Sequence, residues 1–285
     1  MKFAIGTAQF KKDYGILKNN IEKTQIKKIL STKLKKIDFI DTAFSYGNSI
    51  LYLKKYLNNK IKIITKIDKL NSKDPISISN EIERKVIKNY KIFNNKQLYC
   101  ILFHDELDAI CVKSKIVQKK ITELKKKKYL KNIGVSCYNF KLIKKFLKFY
   151  NFDVFQLPLN IFNICPKKIN ELKYLKKKYN FQIHARSVFL QGVLLKNPQI
   201  LPKSLHKLKY YIEVINKRIQ KKRYEPENYL ISTIDTLGIV DCIIIGVKNL
   251  SELLKLSNYK KIKISKKEIF KYEIKDKKLI DPRMW

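Results

Sequence analysis

The sequence lacks any apolar stretch long enough to cross a bilayer. Nowhere in the 285 residues do about eighteen apolar residues follow one another, as a membrane-spanning helix requires. Residues 1–10 also lack the long apolar segment and the small-residue cleavage site of a signal peptide. We therefore predict a protein that stays in the cytoplasm and does not insert into a membrane.

Residues that build disulfides or metal sites are also scarce. The five cysteines form no CxxC pair, and three histidines are too few for an ordinary metal-ligand cluster. These absences are typical of a protein in a reducing compartment, and they predict no metal site.

Acidic residues are few, since 24 Asp and Glu stand against 63 Lys and Arg, and the formal net charge is +39. Such an excess often indicates binding to nucleic acid or to an anionic membrane. Here nearly all basic residues are Lys, and they are spread over every amphipathic segment instead of forming one stripe. We favour a compositionally biased, solvated surface without a specific nucleic-acid partner. A nucleic-acid-binding face is the alternative, and nonspecific polyanion binding at low salt is expected in either case.

The apolar residues suffice for a sizeable core, at 45% hydrophobic and 12% aromatic content. Eight short β-type runs recur, several of them apolar at nearly every position, as in parallel strands covered on both faces. These runs are residues 3–6, 38–44, 61–67, 98–104, 132–136, 153–157, 181–187 and 241–247.

Helical patterns separate the β-type runs. Ile26, Ile29, Leu30 and Leu34 fall at i, i+3, i+4 and i+8, the spacing of one helix face. Seven run starts lie about 20 to 40 residues apart, the size of a β-loop-α unit. The longer last gap has room for an additional helix near residues 203–221, before another that starts near residues 225–227.

No Gly/Ser-rich linker divides these units. The pattern predicts an α/β fold in which residues 1–285 form a single closed (β/α)8 TIM barrel, with residues 260–285 as a C-terminal tail. The alternative is an open doubly wound sheet. Its usual GxGxxG after the first strand is missing, because Gly6-Thr-Ala-Gln-Phe-Lys does not match it.

Polar residues end several of the predicted strands, where the chemistry of such a barrel is located. Each has an ordinary structural explanation, such as a turn for Tyr46 or a surface position for Lys66, but their joint placement predicts one site. The residues are Asp41, Tyr46, Lys66, His104, Ser136 and Gln156.

Four of these residues could assist the reduction of a carbonyl group by a hydride donor. Hydride transfer leaves charge on oxygen, and a free Tyr, with a pKa of about 10, gives up its proton reluctantly. Lys66, held by Asp41, could lower the pKa of Tyr46, while a neutral His104 orients and polarises the substrate oxygen.

Five segments carry a resemblance to a known family, and two later ones follow in the same order. They are Asp41-Thr-Ala-Phe-Ser-Tyr46-Gly-Asn-Ser, Ile-Thr-Lys66, Phe-His104-Asp, Gly134-Val-Ser-Cys-Tyr, Gln156-Leu-Pro-Leu-Asn160, Phe189-Leu-Gln-Gly-Val-Leu-Leu195 and Ile245-Gly-Val-Lys-Asn-Leu-Ser-Glu-Leu. On these segments the sequence resembles the aldo-keto reductases. The resemblance implies an NAD(P)H-dependent oxidoreductase that reduces a carbonyl to an alcohol, with Tyr46 as general acid.

The resemblance also implies a cofactor seat. Ser136 and Gln156 would bind the nicotinamide carboxamide, although Gln156 could instead be a buried residue bonded to backbone. Ser187, Leu190 and Gly192 would lie near the pyrophosphate. The adenosine ribose would lie against a last group, which comprises Gly246, Val247, Glu252 and Leu256.

Three positions depart from the family pattern. Cys137 replaces an Asn that contacts the carboxamide in many members. Arg186 replaces an aromatic ring beside the nicotinamide, where a guanidinium can also stack and would favour the reduced cofactor. Glu252 would repel a 2′-phosphate and so favours NADH over NADPH, whereas Lys248 and Lys255 act in the opposite sense.

Both ends of the chain resemble a bacterial subgroup associated with surface-polysaccharide sugar metabolism, which implies a sugar-related or other small carbonyl substrate. The matching segments are Gly6-Thr-Ala-Gln-Phe, Asp13-Tyr14-Gly15 and Asp281-Pro-Arg-Met-Trp285. The C-terminal tail could contact substrate or simply pack against the barrel. The alternative function is a nicotinamide-binding redox regulator with little turnover, and we expect a monomer or a small homo-oligomer.

Overall fold

The computed structural model describes residues 1–16, 20–32, 36–57, 61–94 and 96–285, and within them eight parallel strands close into a barrel. Each strand pairs with the next along the chain, and β8 pairs with β1. The strands are β1 Lys2–Gly6, β2 Ile37–Asp41, β3 Lys62–Ile67, β4 Leu98–Phe103, β5 Leu130–Ser136, β6 Val154–Pro158, β7 Gln182–Arg186 and β8 Cys242–Ile245. The predicted single-domain (β/α)8 barrel is confirmed, and all eight β-type runs contain strands.

Helices follow the strands on the outside of the barrel, because each presents an apolar stripe to the sheet and Lys to the solvent. Their bounds are α1 Lys23–Ser31, α2 Ser49–Tyr56, α3 Pro75–Ile92, α4 Lys115–Lys126, α5 Lys141–Phe146, α6 Pro166–Tyr179, α7 His206–Lys221, α8 Pro226–Asp235, α9 Leu250–Ser257, α10 Lys266–Phe270 and α11 Lys277–Ile280. The two helices predicted in the long gap correspond to α7 and α8. Of the stripe predicted for the first helix, Ile26, Ile29 and Leu30 are buried in α1, whereas Leu34 lies outside the described residues.

The apolar side chains form two layers. One fills the space between the strands and the helices, and the other fills the barrel interior with residues such as Phe39, Leu102 and Val154. Gly134 on β5 allows the closest approach, since a Cβ there would lie 2.2 Å from the carbonyl oxygen of Val154. The packing of β5 against β6 therefore requires glycine at this position.

Residues 260–285 pack against the barrel. Ile264, Ile269, Ile274 and Leu279 are buried in the main core cluster, and the Ile274 N–H donates to the carbonyl of Phe162 at 2.8 Å. This segment is thus continuous with the core, and its last residues reach the end of the barrel where the strands terminate.

The described residues contain no helix long and apolar enough to span a membrane. Within the same part of the chain, no group of His, Cys, Asp or Glu is arranged to hold a metal ion, and all five cysteines are free thiols.

Candidate active site

A cavity of about 510 Å³ opens at the carboxyl ends of the strands. Its size lies within the range of roughly 300 to 1,000 Å³ typical of small-molecule sites. The structure brings most of the predicted site residues together on its walls: Asp41, Tyr46, His104, Ser136, Arg186, Ser187, Gly192, Gly246, Val247, Glu252 and Leu256. Lys66, Gln156 and Leu190 are buried and do not line it.

Asp41, at the end of β2, is the centre of a buried hydrogen-bond network. Its Oδ2 accepts from the Lys66 ammonium at 2.7 Å, and its Oδ1 accepts from the Gln156 Nε2 at 2.8 Å. Lys66 also donates to the carbonyl of Thr42 at 3.1 Å. Only 1% of Lys66 and 4% of Asp41 are exposed, so the ion pair lies in a medium where an unpaired charge is costly. Lys66 and Gln156 are therefore both held at the cavity wall by Asp41.

Tyr46 ends a 3-10 turn of residues 44–46, after which Gly47 adopts a positive φ of 61° that favours glycine. The Lys66 ammonium lies 5.0 Å from the centroid of the Tyr46 ring. Burial raises the pKa of Tyr46 above its usual value, and the charge and hydrogen bond of Lys66 offset part of this increase. The predicted effect of Lys66 is present, but burial outweighs it, so Tyr46 is a protonated donor at neutral pH.

His104, just after β4, faces Tyr46 edge to face, with ring centroids 5.9 Å apart and planes at 85°. Its Nδ1 lies 3.4 Å from the Ser45 hydroxyl. Burial, followed by the charge of Lys66, lowers the pKa of His104 to about 4. The imidazole is thus neutral at pH 7, as predicted, and it can donate a hydrogen bond without carrying a charge.

Three cavity residues beside this group were not predicted as site residues. They are Tyr14 from the loop after β1, Tyr138 from the loop after β5, and Arg283 from the C-terminal tail. The guanidinium carbons of Arg186 and Arg283 lie 4.1 and 3.5 Å from the centroid of the Tyr138 ring. All three lie in segments that carry the sequence resemblance, but the direction of their side chains across the cavity depends on loop paths.

The C-terminal tail both lines the cavity and packs against the barrel. Pro282 and Arg283 line the cavity, whereas Trp285 packs partly buried against the core and donates from Nε1 to the carbonyl of Lys278 at 3.1 Å. The tail is therefore a wall of the cavity that is held in place by packing.

The loop after β7 has an unusual backbone. Ser187, Leu190, Gln191 and Gly192 all have positive φ values, between 48° and 88°, which non-glycine residues rarely adopt. The Asn160 amide donates to the carbonyl of Ser187 at 3.5 Å and supports the start of this loop. Ser187 and Gly192 consequently line the cavity, while the Leu190 side chain is directed into the core and away from it.

The far end of the cavity lies between this loop and α9. The Glu252 carboxylate accepts from the backbone N–H of Lys248 at 2.8 Å, and Lys196, Lys248 and Lys255 also line this end. Burial lowers the pKa of Lys248, and the charge of Lys196 adds to this effect, since the two cations are neighbours. Three ammonium groups thus accompany the carboxylate that was predicted to favour NADH.

Cys137 is buried and does not line the cavity; its backbone N–H donates to the carbonyl of Gln156 at 2.9 Å. Burial raises the pKa of its thiol well above the usual value, so the thiol is protonated at neutral pH. This position contributes structure rather than chemistry.

Comparison with known proteins agrees with the fold. The model of the aldo/keto reductase family matches residues 2–277, whereas no curated protein matches the sequence. The holo form of an aldo-keto reductase from Bacillus halodurans superposes with a TM-score of 0.71 at 16% identity, covering 95% of this chain and 90% of that chain. A glycerol dehydrogenase from Gluconobacter oxydans gives 0.70 at 16%, covering 98% and 92%.

A third solved structure is an aldo-keto reductase from Bombyx mori in complex with NADP, with a TM-score of 0.67 at 14% identity, covering 95% of this chain and 88% of that chain. At these identities the structural matches establish the fold alone, whereas the family model covers nearly the whole sequence. The chain belongs to the aldo/keto reductase family and is an oxidoreductase of that type.

Proposed function

We propose that this protein reduces the carbonyl group of a small molecule to an alcohol with NADPH or NADH, and that Tyr46 donates the proton. The observation that carries this proposal is the joint position of Asp41, Tyr46, Lys66 and His104 at one end of the cavity. Each of the four has the partner that its role requires.

The cavity fits a nicotinamide cofactor. The Oε1 atom of Gln156 is buried and has no hydrogen-bond partner among the described residues, and Ser136 lies beside it on the neighbouring strand. An acceptor and a hydroxyl so placed suit a carboxamide, which needs both. We assign the remaining wall as the seat of the dinucleotide, with Arg186 beside the nicotinamide. Ser187 and Gly192 would lie near the pyrophosphate, and Gly246, Val247, Glu252 and Leu256 around the adenosine ribose. Leu190 would contribute only through its backbone.

When bound, the nicotinamide supplies or accepts the hydride. The protein then has to deliver a proton to the oxygen of the substrate. Tyr46 holds that proton at neutral pH, and the Lys66 ammonium stabilises the phenolate left behind because it is fixed nearby by Asp41. A neutral His104 directs an N–H toward the same oxygen and aligns it.

The preference between the two cofactors is part of the proposal. Glu252 favours NADH, since a carboxylate repels a 2′-phosphate, whereas Lys196, Lys248 and Lys255 favour NADPH. We propose NADH as the favoured cofactor, with Glu252 facing the ribose. A competitive binding titration with NADH and NADPH tests this preference.

The proposed substrate is a small carbonyl compound, which could be sugar-related. The cytoplasmic location and the assembly as a monomer or small homo-oligomer remain predictions.

The test follows the absorbance of NADH and NADPH against a panel of aldehydes, ketones and nucleotide sugars. We expect turnover by the parent. In Tyr46→Phe we expect a loss of about 10²- to 10⁴-fold, with unchanged cofactor affinity. Cofactor binding without any turnover across the panel would instead support the regulator.

A further inference from the structure

Arg186 differs from the other charged residues at the catalytic end of the cavity. Arg283 is paired there with Asp281, at 2.9 Å from Nε to Oδ1 and 2.5 Å from Nη2 to Oδ2. Arg186 forms no ion pair in the described part of the chain, and its Nη2 is buried without a hydrogen-bond partner. A buried N–H of a charged group that lacks an acceptor is costly, and this indicates that a ligand supplies one.

The guanidinium of Arg186 is fixed in position. Its carbon Cζ lies over the Tyr138 ring, 4.1 Å from the ring centroid, and Cζ of Arg283 lies 3.5 Å from the same centroid. The backbone of Tyr138 is held because its N–H donates to the Glu106 carboxylate at 2.7 Å. A cation–π contact uses none of the N–H groups, so Nη2 keeps its capacity to donate a hydrogen bond.

Positive charge is in excess around the reacting groups. Arg186 is close enough to Tyr46 and His104 to lower the pKa of each. The carboxylates nearby are already engaged: Asp41 by Lys66 and Gln156, Asp281 by Arg283, and Asp105 and Glu106 by backbone N–H groups. An anion bound at Arg186 would therefore meet no free carboxylate among these groups.

We propose that the substrate is an anionic carbonyl compound, whose carboxylate or phosphate accepts a hydrogen bond from Nη2 of Arg186 beside the oxygen that Tyr46 protonates. This inference rests on the proposed carbonyl reduction and adds the chemical class of its substrate. Arg283 is a positioning residue in this scheme, since it supports Arg186 through the Tyr138 ring.

The test compares anionic substrates with neutral ones of similar length. The carboxylate pair is succinic semialdehyde and butanal, and the phosphate pair is glyceraldehyde 3-phosphate and glyceraldehyde. We expect the parent to prefer the anionic member of at least one pair by about 10- to 100-fold in kcat/KM, as a charge-assisted hydrogen bond provides. The preferred pair distinguishes a carboxylate from a phosphate.

Variants of Arg186 measure its part in this preference. Arg186→Gln should reduce the anionic-to-neutral ratio to within about threefold of one, and Arg186→Lys should give an intermediate ratio because it keeps the charge but loses the fork. Arg84→Gln, on the exposed surface of α3, removes the same charge away from the cavity and should keep the parent ratio. Arg283→Gln should raise KM for the anionic substrate more than it lowers kcat.

Two outcomes would overturn the inference and leave the proposed function intact. In the first, the parent reduces neutral carbonyls and prefers neither anion. In the second, the parent prefers an anion but Arg186→Gln keeps the same preference. If the parent turns over no carbonyl at all, the proposed function fails. Calorimetric titration with 4-hydroxybutyrate at physiological salt then judges the anion site separately. Binding by the parent and Arg84→Gln but not by Arg186→Gln supports the site. Equal binding by all three, or none by the parent, refutes it.

Discussion

The buried ion pair of Lys66 and Asp41 allows a double-mutant cycle whose outcome follows from the structure. Among the residues that the structure describes, Lys66→Met leaves the buried Asp41 carboxylate with only the Gln156 amide as a side-chain partner, and Asp41→Asn leaves the Lys66 ammonium without a counterion. Breaking a buried pair by removing one partner costs about 3 to 5 kcal/mol. For a chain of this size, each single variant should melt about 6 to 10 °C below the parent.

The combined Lys66→Met and Asp41→Asn variant should recover most of this loss, because no uncompensated charge remains. Removing both members of a buried pair is often neutral or stabilising. The asparagine still offers an oxygen to the Gln156 amide, and the remaining loss is the hydrogen bond from Lys66 to the Thr42 carbonyl. We therefore expect a coupling free energy of about 3 kcal/mol or more, well above the scatter of about 0.5 kcal/mol for independent sites.

The assays are thermal melting and urea unfolding at pH 7, both monitored by circular dichroism without added cofactor, so that the stability readout is independent of catalysis. Burial lowers the pKa of Lys66, but the charges of Asp41 and Tyr46 more than offset this, and the pKa is raised overall. The contribution of the pair is therefore present at neutral pH and is lost only as the pH rises through that raised pKa. Additive losses in the double variant would refute the reasoning, since they would show that the two charges do not stabilise each other.

Three further predictions test other parts of the structure. Burial lowers the pKa of His104 and of His184 to about 4, so below about pH 6.5 the unfolded chain binds more protons than the folded one. The free energy of unfolding should therefore fall as the pH is lowered from 6.5 to 4. His104→Gln should make this dependence on pH less steep. Gly134→Ala should cost about 3 kcal/mol or more in urea unfolding, since its Cβ would lie 2.2 Å from a carbonyl oxygen. Gly238→Ala, with φ of +71° and open space, should cost only about 1 kcal/mol. Glu252→Gln should raise the affinity for NADPH relative to NADH, measured by fluorescence titration, and an unchanged ratio would remove Glu252 from cofactor choice.

Much of the catalytic end was predictable because its residues end strands. Asp41, Lys66 and His104 lie at or just after the ends of β2, β3 and β4, and a closed parallel barrel brings those ends to one face. The network that joins Asp41 to Gln156 connects residues 115 positions apart in sequence. Only barrel closure places β2 across from β6, so the partner of that carboxylate was not readable from spacing.

The loops and the tail account for what was not predicted. The side-chain direction of Leu190 depends on a run of left-handed backbone conformations that no local pattern indicates. The Glu252 carboxylate accepts a hydrogen bond from the backbone N–H of Lys248, and no pattern in the sequence predicts this bond.

By itself the sequence determined the barrel and singled out the groups proposed to react, because apolar periodicity and strand-end polar residues are local properties of the chain. The tertiary structure decided which side chains surround those groups. Tyr14, Tyr138 and Arg283 come from three separate connections that meet only when the barrel closes and the tail packs across its end. The unpartnered edge of Arg186, and with it the charge expected of the substrate, arises from that meeting. Hydrogen bonding and packing between distant segments fix the position of the Arg186 guanidinium, and no local sequence pattern predicts either of them.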